Sequence, residues 1–171
     1  MRCLGHCGPP GVPRSVHWAR PGPPSRPGPI PCGMPSSHDR TEAAVRAVAA
    51  ATRACRFVQR QLDTIRAITK DDRSPVTVGD FAAQAIVAHS LRESLGEIRL
   101  IAEETSGFLR DAAHGAHLEA AVLAAPQGWP EATADTLLSA IDVGAGAPRQ
   151  EGFWCLDPID GTKGFIRGQQ Y

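Results

Sequence analysis

Ten of the fifteen prolines in this 171-residue chain fall between Pro9 and Pro35, and that clustering limits what the chain can fold into more than any other feature. Proline has no amide hydrogen to donate and clashes inside a helix, so a stretch this dense in it forms neither a helix nor a central strand. Six of the seventeen glycines stand in the same first 35 residues. Few apolar side chains remain there to offset the entropy of ordering the backbone. The sequence therefore predicts a disordered tail over residues 1–35 and a folded body over residues 36–171. Arg2, Arg14, Arg20 and Arg26 meet no acid before Asp39, which leaves 14 basic and 18 acidic side chains in the body.

Three origins fit such a tail: an over-extended reading frame whose true start is Met34, an organelle transit segment, or a linker. A secretory signal does not fit, because no apolar central run exists between Met1 and Pro35. The chain as a whole carries 18 basic and 18 acidic side chains and no net charge. This argues against a broad electrostatic grip on a nucleic acid polymer or an anionic membrane surface. No run of eighteen apolar residues exists to span a bilayer. Cys3, Cys7 and Cys32 match no paired zinc spacing. Cys55 and Cys155 lie far apart in apolar segments and read as buried free thiols, so a reducing, cytoplasmic compartment is expected.

Ser36 or Ser37 is placed to cap a helix beginning near Asp39. Val45, Val48, Ala49, Thr52, Cys55, Val58, Leu62 and Ile65 then recur at three- and four-residue steps. This spacing predicts one long amphipathic helix ending near Thr69. Lys70 to Pro75 reads as a polar loop closed by a helix-breaking proline. A second helix is predicted directly after Gly79-Asp80, with Asp80 at its positive N-terminal end and Gly96 closing it. Ile98, Leu100 and Ile101 form a short strand running into Glu103-Glu104, and helix pieces and loop follow over residues 107–130. Glu131–Ile141 reads as a third helix, and Gly152–Leu156 as a buried strand ending at Asp157. On the same reasoning His89 is a packed core histidine, His114 and His117 are surface residues, and Trp154 and Phe165 are core.

The chemistry concentrates at that strand end. Asp157 is delivered by the strand, and a proline turn presents Asp160 on the same side. Two carboxylates held so close repel unless a cation lies between them, and hard cations such as Mg²⁺ favour this oxygen donor set together with backbone carbonyls. Gly161 then allows close backbone approach, and Thr162 offers a hydroxyl and an amide at the start of a new element. Amides so placed form a cradle for phosphate oxygens.

Asp157-Pro158-Ile159-Asp160-Gly161-Thr162-Lys163-Gly164-Phe165 resembles the signature of the lithium-sensitive, magnesium-dependent phosphatases of the inositol monophosphatase superfamily. Within it, Lys163-Gly164 is similar to the 3′(2′),5′-bisphosphate nucleotidases, where inositol phosphatases more usually carry Asn before the Phe. Ser74-Pro75-Val76-Thr77-Val78-Gly79-Asp80-Phe81-Ala82-Ala83-Gln84 resembles the nucleotidase loop and helix start. Ile101-Ala102-Glu103-Glu104 is similar to the superfamily's Gly-Glu-Glu strand end, with Ala102 in place of glycine.

The resemblance implies a layered α/β (α+β) fold, the inositol monophosphatase/fructose-1,6-bisphosphatase-like sandwich of helices and sheets, truncated here after its first metal-binding half. It implies Glu103, Asp157, Asp160 and the Ile159 carbonyl as ligands of two or three Mg²⁺ ions, with lithium as an inhibitor. It pairs Asp80 with Thr162 to orient and deprotonate the attacking water, and gives the phosphate to the Gly161 and Thr162 amides. Glu104 is expected to stand behind the metal or at the surface. The implied reaction is hydrolysis of a small phosphorylated substrate, adenosine 3′,5′-bisphosphate yielding AMP and phosphate, in sulfate assimilation. Inositol monophosphate hydrolysis is the alternative, and a catalytically inactive metal-binding fragment is the alternative of another class. A further metal-binding Asp and most nucleotide contacts of the family lie beyond the matched half. The 171-residue chain by itself is therefore expected to lack appreciable nucleotidase activity and to associate through uncovered apolar surface.

Overall fold

The computed structural model describes residues 35–69, 74–148 and 152–167, all within the unit Pro35–Tyr171. The expectations of a disordered tail and of a polar loop at Lys70, Asp71 and Asp72 fall outside these residues. The described chain is mixed helix and strand, an α/β arrangement with one small parallel sheet.

Helix α1 spans Ser37–Arg60 and opens on a capping box. The Ser36 hydroxyl accepts from the Asp39 amide at 3.1 Å, and the Asp39 carboxylate accepts from the Ser36 amide at 2.9 Å. Two of the helix's otherwise unpaired amide groups are thereby satisfied. The long helix expected to reach Thr69 is two helices, α1 and α2 (Leu62–Thr69). The break is at Gln61, whose amide is shared between the Phe57 and Val58 carbonyls. The change of direction seats Ile65, 1% exposed, in the core while α2 packs on α5 and α3.

The expected apolar stripe of α1 is also rotated. Val45 and Val48 are 64% and 55% exposed, and the buried face is Ala43, Ala47, Ala50, Ala51, Ala54, Cys55 and Val58. This small-residue face lies against α3 (Ser74–Leu95), itself rich in buried Ala82, Ala83, Ala85 and Ala88. Two alanine faces bring the helix axes close, and bulkier valines on that side would hold them apart.

Helix α3 begins at Ser74, seven residues before the expected start at Phe81. Pro75 lies in its first turn, where the missing amide costs nothing, so it opens this helix rather than breaking it. Gly79 and Asp80 consequently sit inside the helix. Gly96, at φ 77°, terminates it as anticipated.

Strand β1 (Leu100–Ala102) follows, then α4 (Gly107–Arg110), a 3-10 turn at Ala112–His114, α5 (Gly115–Ala124) and a second 3-10 turn at Ala125–Gln127. Helix α6 (Ala134–Asp142) is capped by Thr133 and Thr136. Strand β2 (Trp154–Leu156) then pairs parallel to β1, in the register Leu100↔Trp154, Ile101↔Cys155 and Ala102↔Leu156. On its other edge β1 meets residues 144–146, with Ala102 donating to the Gly144 carbonyl and Gly146 donating to the Leu100 carbonyl. Strand β2 is less covered than expected. Trp154 and Leu156 are half-buried, and Cys155 is exposed, unlike the buried Cys55.

Two histidines also depart from expectation. His117 is buried and His114 half-buried, because Phe108 stacks on His114 at 3.8 Å and meets His117 edge-on at 5.2 Å. His89 is half-buried with its ring stacked on Trp129 at 4.0 Å. Phe165, in α7 (Thr162–Ile166), is fully buried as expected. No helix among the described residues is long and apolar enough to cross a membrane.

Candidate active site

Parallel pairing decides where the acids emerge. Ala102 and Leu156 are partners in register, so the residues that follow them, Glu103 and Asp157, leave the same end of the sheet side by side. The carboxyl ends of parallel strands are where α/β folds place ligands. Both side chains are exposed there, and Asp160 is exposed in the turn that follows.

Helix α3 brings the fourth acid. Gly79 packs so tightly on Ile159 that a Cβ at Gly79 would lie 2.8 Å from the Ile159 Cδ1 atom and 3.5 Å from Phe165. The absence of a side chain there lets the Ile159 side chain seat directly on the helix, and this contact places the Asp157–Asp160 turn against α3 just before Asp80. Helix α7 (Thr162–Ile166), which follows the turn, is tied to α1 by Gln59, whose side chain donates to the Phe165 carbonyl at 2.9 Å. Gly161 adopts φ 90°, ψ 48°, a left-handed conformation that L side chains adopt at a cost. Its carbonyl accepts from Gly164 and Phe165, which fixes the start of α7.

The electrostatics record the convergence. The Asp80 carboxyl is pushed up to about 8, by burial first and then by the negative charges of Glu104, Glu103 and Asp157. Glu104 is itself raised by burial and by Glu103. The Cys55 thiol, facing the same region from α1, is driven up to about 12 by burial and the Asp80 charge.

The structure thus places Glu104, Glu103 and Asp157 within electrostatic reach of Asp80, with Glu104 next to Glu103 as expected of a carboxylate standing behind the metal. Glu104 is half-buried and acts on Asp80 more strongly than Glu103 does. The Asp80 carboxylate lies inside α3, not at its positive end, so the helix dipole is not what supports its charge. Ile159 is buried against α3. Thr162 opens α7, and its side chain lies outside the described residues. Among the described residues no group of three or more His, Cys, Asp or Glu stands close enough to hold a metal ion. The donor chemistry nonetheless fits a hard divalent cation. The groups are oxygen donors, negatively charged and open on the solvent side, and their mutual repulsion is what such a cation relieves.

Residues 38–171 match the family model described as the inositol monophosphatase family. The chain belongs to that family. Members generally use a divalent metal, Mg²⁺. Among its relatives, 3′(2′),5′-bisphosphate nucleotidase 1 of Arabidopsis thaliana is 41% identical over 141 residues, covering 76% of this chain and 40% of the relative. The 3′(2′),5′-bisphosphate nucleotidase of Schizosaccharomyces pombe is 41% identical over 114 residues, 61% of this chain and 32% of the relative. The enzyme of that name from Emericella nidulans is also 41% identical, over 61% of this chain and 33% of its own length. The chain therefore spans between about a third and two fifths of the curated relatives it matches. Within the family frame, Glu103 and Asp157 were legible from their motifs. Sequence reasoning missed Gln84, whose buried side chain donates to the Glu104 and Ile141 carbonyls and accepts from the Glu104 amide; the one signal was a polar residue in an apolar run one helical turn after Asp80.

Proposed function

We propose that this segment builds the metal-binding half of a magnesium-dependent phosphomonoesterase acting on adenosine 3′,5′-bisphosphate or a chemically similar nucleotide. The supporting observation is the side-by-side emergence of Glu103 and Asp157 from paired parallel strands, facing an Asp80 that burial and like charge already disturb. Glu103, Asp157, Asp160 and the Ile159 carbonyl would hold the ions, two or three in number, and lithium would inhibit by competing for them. The ions, when bound, supply charge stabilisation for the transferring phosphoryl group and acidify the attacking water.

The chain's own residues have separate tasks. Asp80, half-buried on α3, takes the proton of the attacking water together with the Thr162 hydroxyl. The first amides of α7, at Gly161 and Thr162, orient the phosphate, since first-turn amides have no partner within the helix. Lys163-Gly164 supports the nucleotide over inositol monophosphate, as do the names of the relatives. The free thiols of Cys55 and Cys155 agree with a reducing, cytoplasmic location.

The test replaces the matching segment of the Arabidopsis nucleotidase with residues 36–171 and measures phosphate release from adenosine 3′,5′-bisphosphate and from inositol monophosphate. Turnover of the nucleotide is expected, abolished by a chelator and lowered at least about 100-fold by Asp157→Asn. A folded chimera that turns over only inositol monophosphate, or works unchanged in chelator, contradicts the proposal.

A further inference from the structure

Gln84 is the one side chain of its size and polarity at 0% exposure in the described core, and all of its amide is spent on two backbone segments. Its Nε2 donates to the Glu104 carbonyl at 2.7 Å and to the Ile141 carbonyl at 3.0 Å. Its Oε1 accepts from the Glu104 amide at 3.0 Å. Glu104 lies just beyond β1, where the strand ladder no longer fixes the backbone, yet both of its peptide groups are held by one side chain. The fit around that amide is close, since a Cβ at Gly144 would stand 2.7 Å from the Gln84 Nε2 atom. Gln84 is also one helical turn after Asp80 on α3, so the two occupy the same side of the helix.

The geometry points to Gln84 as a positioning residue that fixes the Glu103–Glu104 strand end relative to Asp80, and so aims the Glu103 carboxylate at the divalent cation. The inference rests on the reading of Glu103 as a metal ligand. Gln84 touches neither metal nor substrate and acts through the backbone beside Glu103. An apolar side chain of equal length would fill the space and leave the Glu104 amide and two carbonyls buried without partners. The strand end would then move to find others, and ligand supports of this indirect kind commonly change metal affinity 10- to 100-fold.

The test uses Mn²⁺ alone as probe, with binding to the 171-residue chain followed by electron paramagnetic resonance. Gln84→Met is expected to weaken Mn²⁺ at least about 10-fold. Leu91→Ala, a core truncation on the same helix away from the strand end, is expected to lower the melting temperature and leave the affinity unchanged. Glu103→Gln is expected to weaken binding, and adding Gln84→Met to it should cost nothing further, because the second residue acts through the first. Unchanged affinity in Gln84→Met beside a loss in Glu103→Gln overturns the positioning role and leaves the ligand assignment standing, and independent, multiplying losses do the same. Unchanged affinity in Glu103→Gln, or no Mn²⁺ binding by the unmodified chain, overturns the ligand assignment itself and the inference with it. Hydrogen exchange needs no variant: the Glu104 amide of the unmodified chain should be protected although it lies outside the strand. Exchange at the rate of an unprotected amide would contradict the clamp even if Gln84→Met failed to fold.

Discussion

Asp80 carries the largest electrostatic strain among the described acids, and its sign can be followed in stability. Its carboxyl lies at about 8 in the fold against an ordinary 3.8, because burial and then Glu104, Glu103 and Asp157 disfavour the charged form. The folded chain thus holds a proton that the unfolded chain releases. The stability this contributes is complete below pH 3.8 and is lost as pH rises toward 8. Asp80→Asn should accordingly raise the melting temperature of the metal-free chain most at pH 8.5, and by much less at pH 4, near the unfolded value of 3.8. An equal effect at both pH values, measured by thermal unfolding, would show that the carboxylates do not share one field. The motif Ser74–Gln84 disclosed Asp80, but not its place inside a helix, because Pro75 reads equally as the end of one element or the opening of the next. The adjacent glutamates were harder still. The backbone at this strand end is tied by Gln84, twenty residues away, which bonds both the Glu104 amide and its carbonyl, a contact that no local pattern signals.

At the scale of elements, the α1–α3 interface was the least legible part of the fold. Hydropathy favours Val45 and Val48 for the buried stripe, whereas close approach of two helices favours alanine. Ala47→Leu should therefore destabilise the chain by about 1–3 kcal/mol through overpacking, and Val48→Lys should remain within about 0.5 kcal/mol of the original. Denaturant unfolding distinguishes these outcomes, and a larger loss at Val48 would restore the stripe expected from sequence. A second junction joins the start of α4 to the end of α6. Burial alone would raise the Asp142 carboxyl, but the Ser106 hydroxyl at 2.8 Å, Arg110 at 3.1 Å and the Ser106 amide at 3.2 Å hold it below the usual range. A lowered carboxyl contributes stability above its unfolded pKa that disappears as pH falls through the folded one. Asp142→Asn should cost about 1 kcal/mol at pH 7, since the group is partly exposed, and less under acidic conditions. A penalty that grows toward acid pH would reverse the sign.

For the molecule as a whole, the parallel pairing of β1 and β2 is what turns separate motifs into a site. Strand periodicity located both strands, and the family resemblance named the acids at their ends, but three-residue strands carry no signal of which partner they choose. The register Ala102↔Leu156 supplies it, and the Gly79–Ile159 contact brings in α3. The central claim is that these three elements converge to hold a divalent cation. Crystals of the chain grown with Mn²⁺ and measured for anomalous scattering test it directly. A manganese peak is expected between the Glu103 and Asp157 carboxylates and the Ile159 carbonyl, within reach of Asp80. A fully occupied peak elsewhere on the chain, with Glu103 and Asp157 left in solvent, would contradict it.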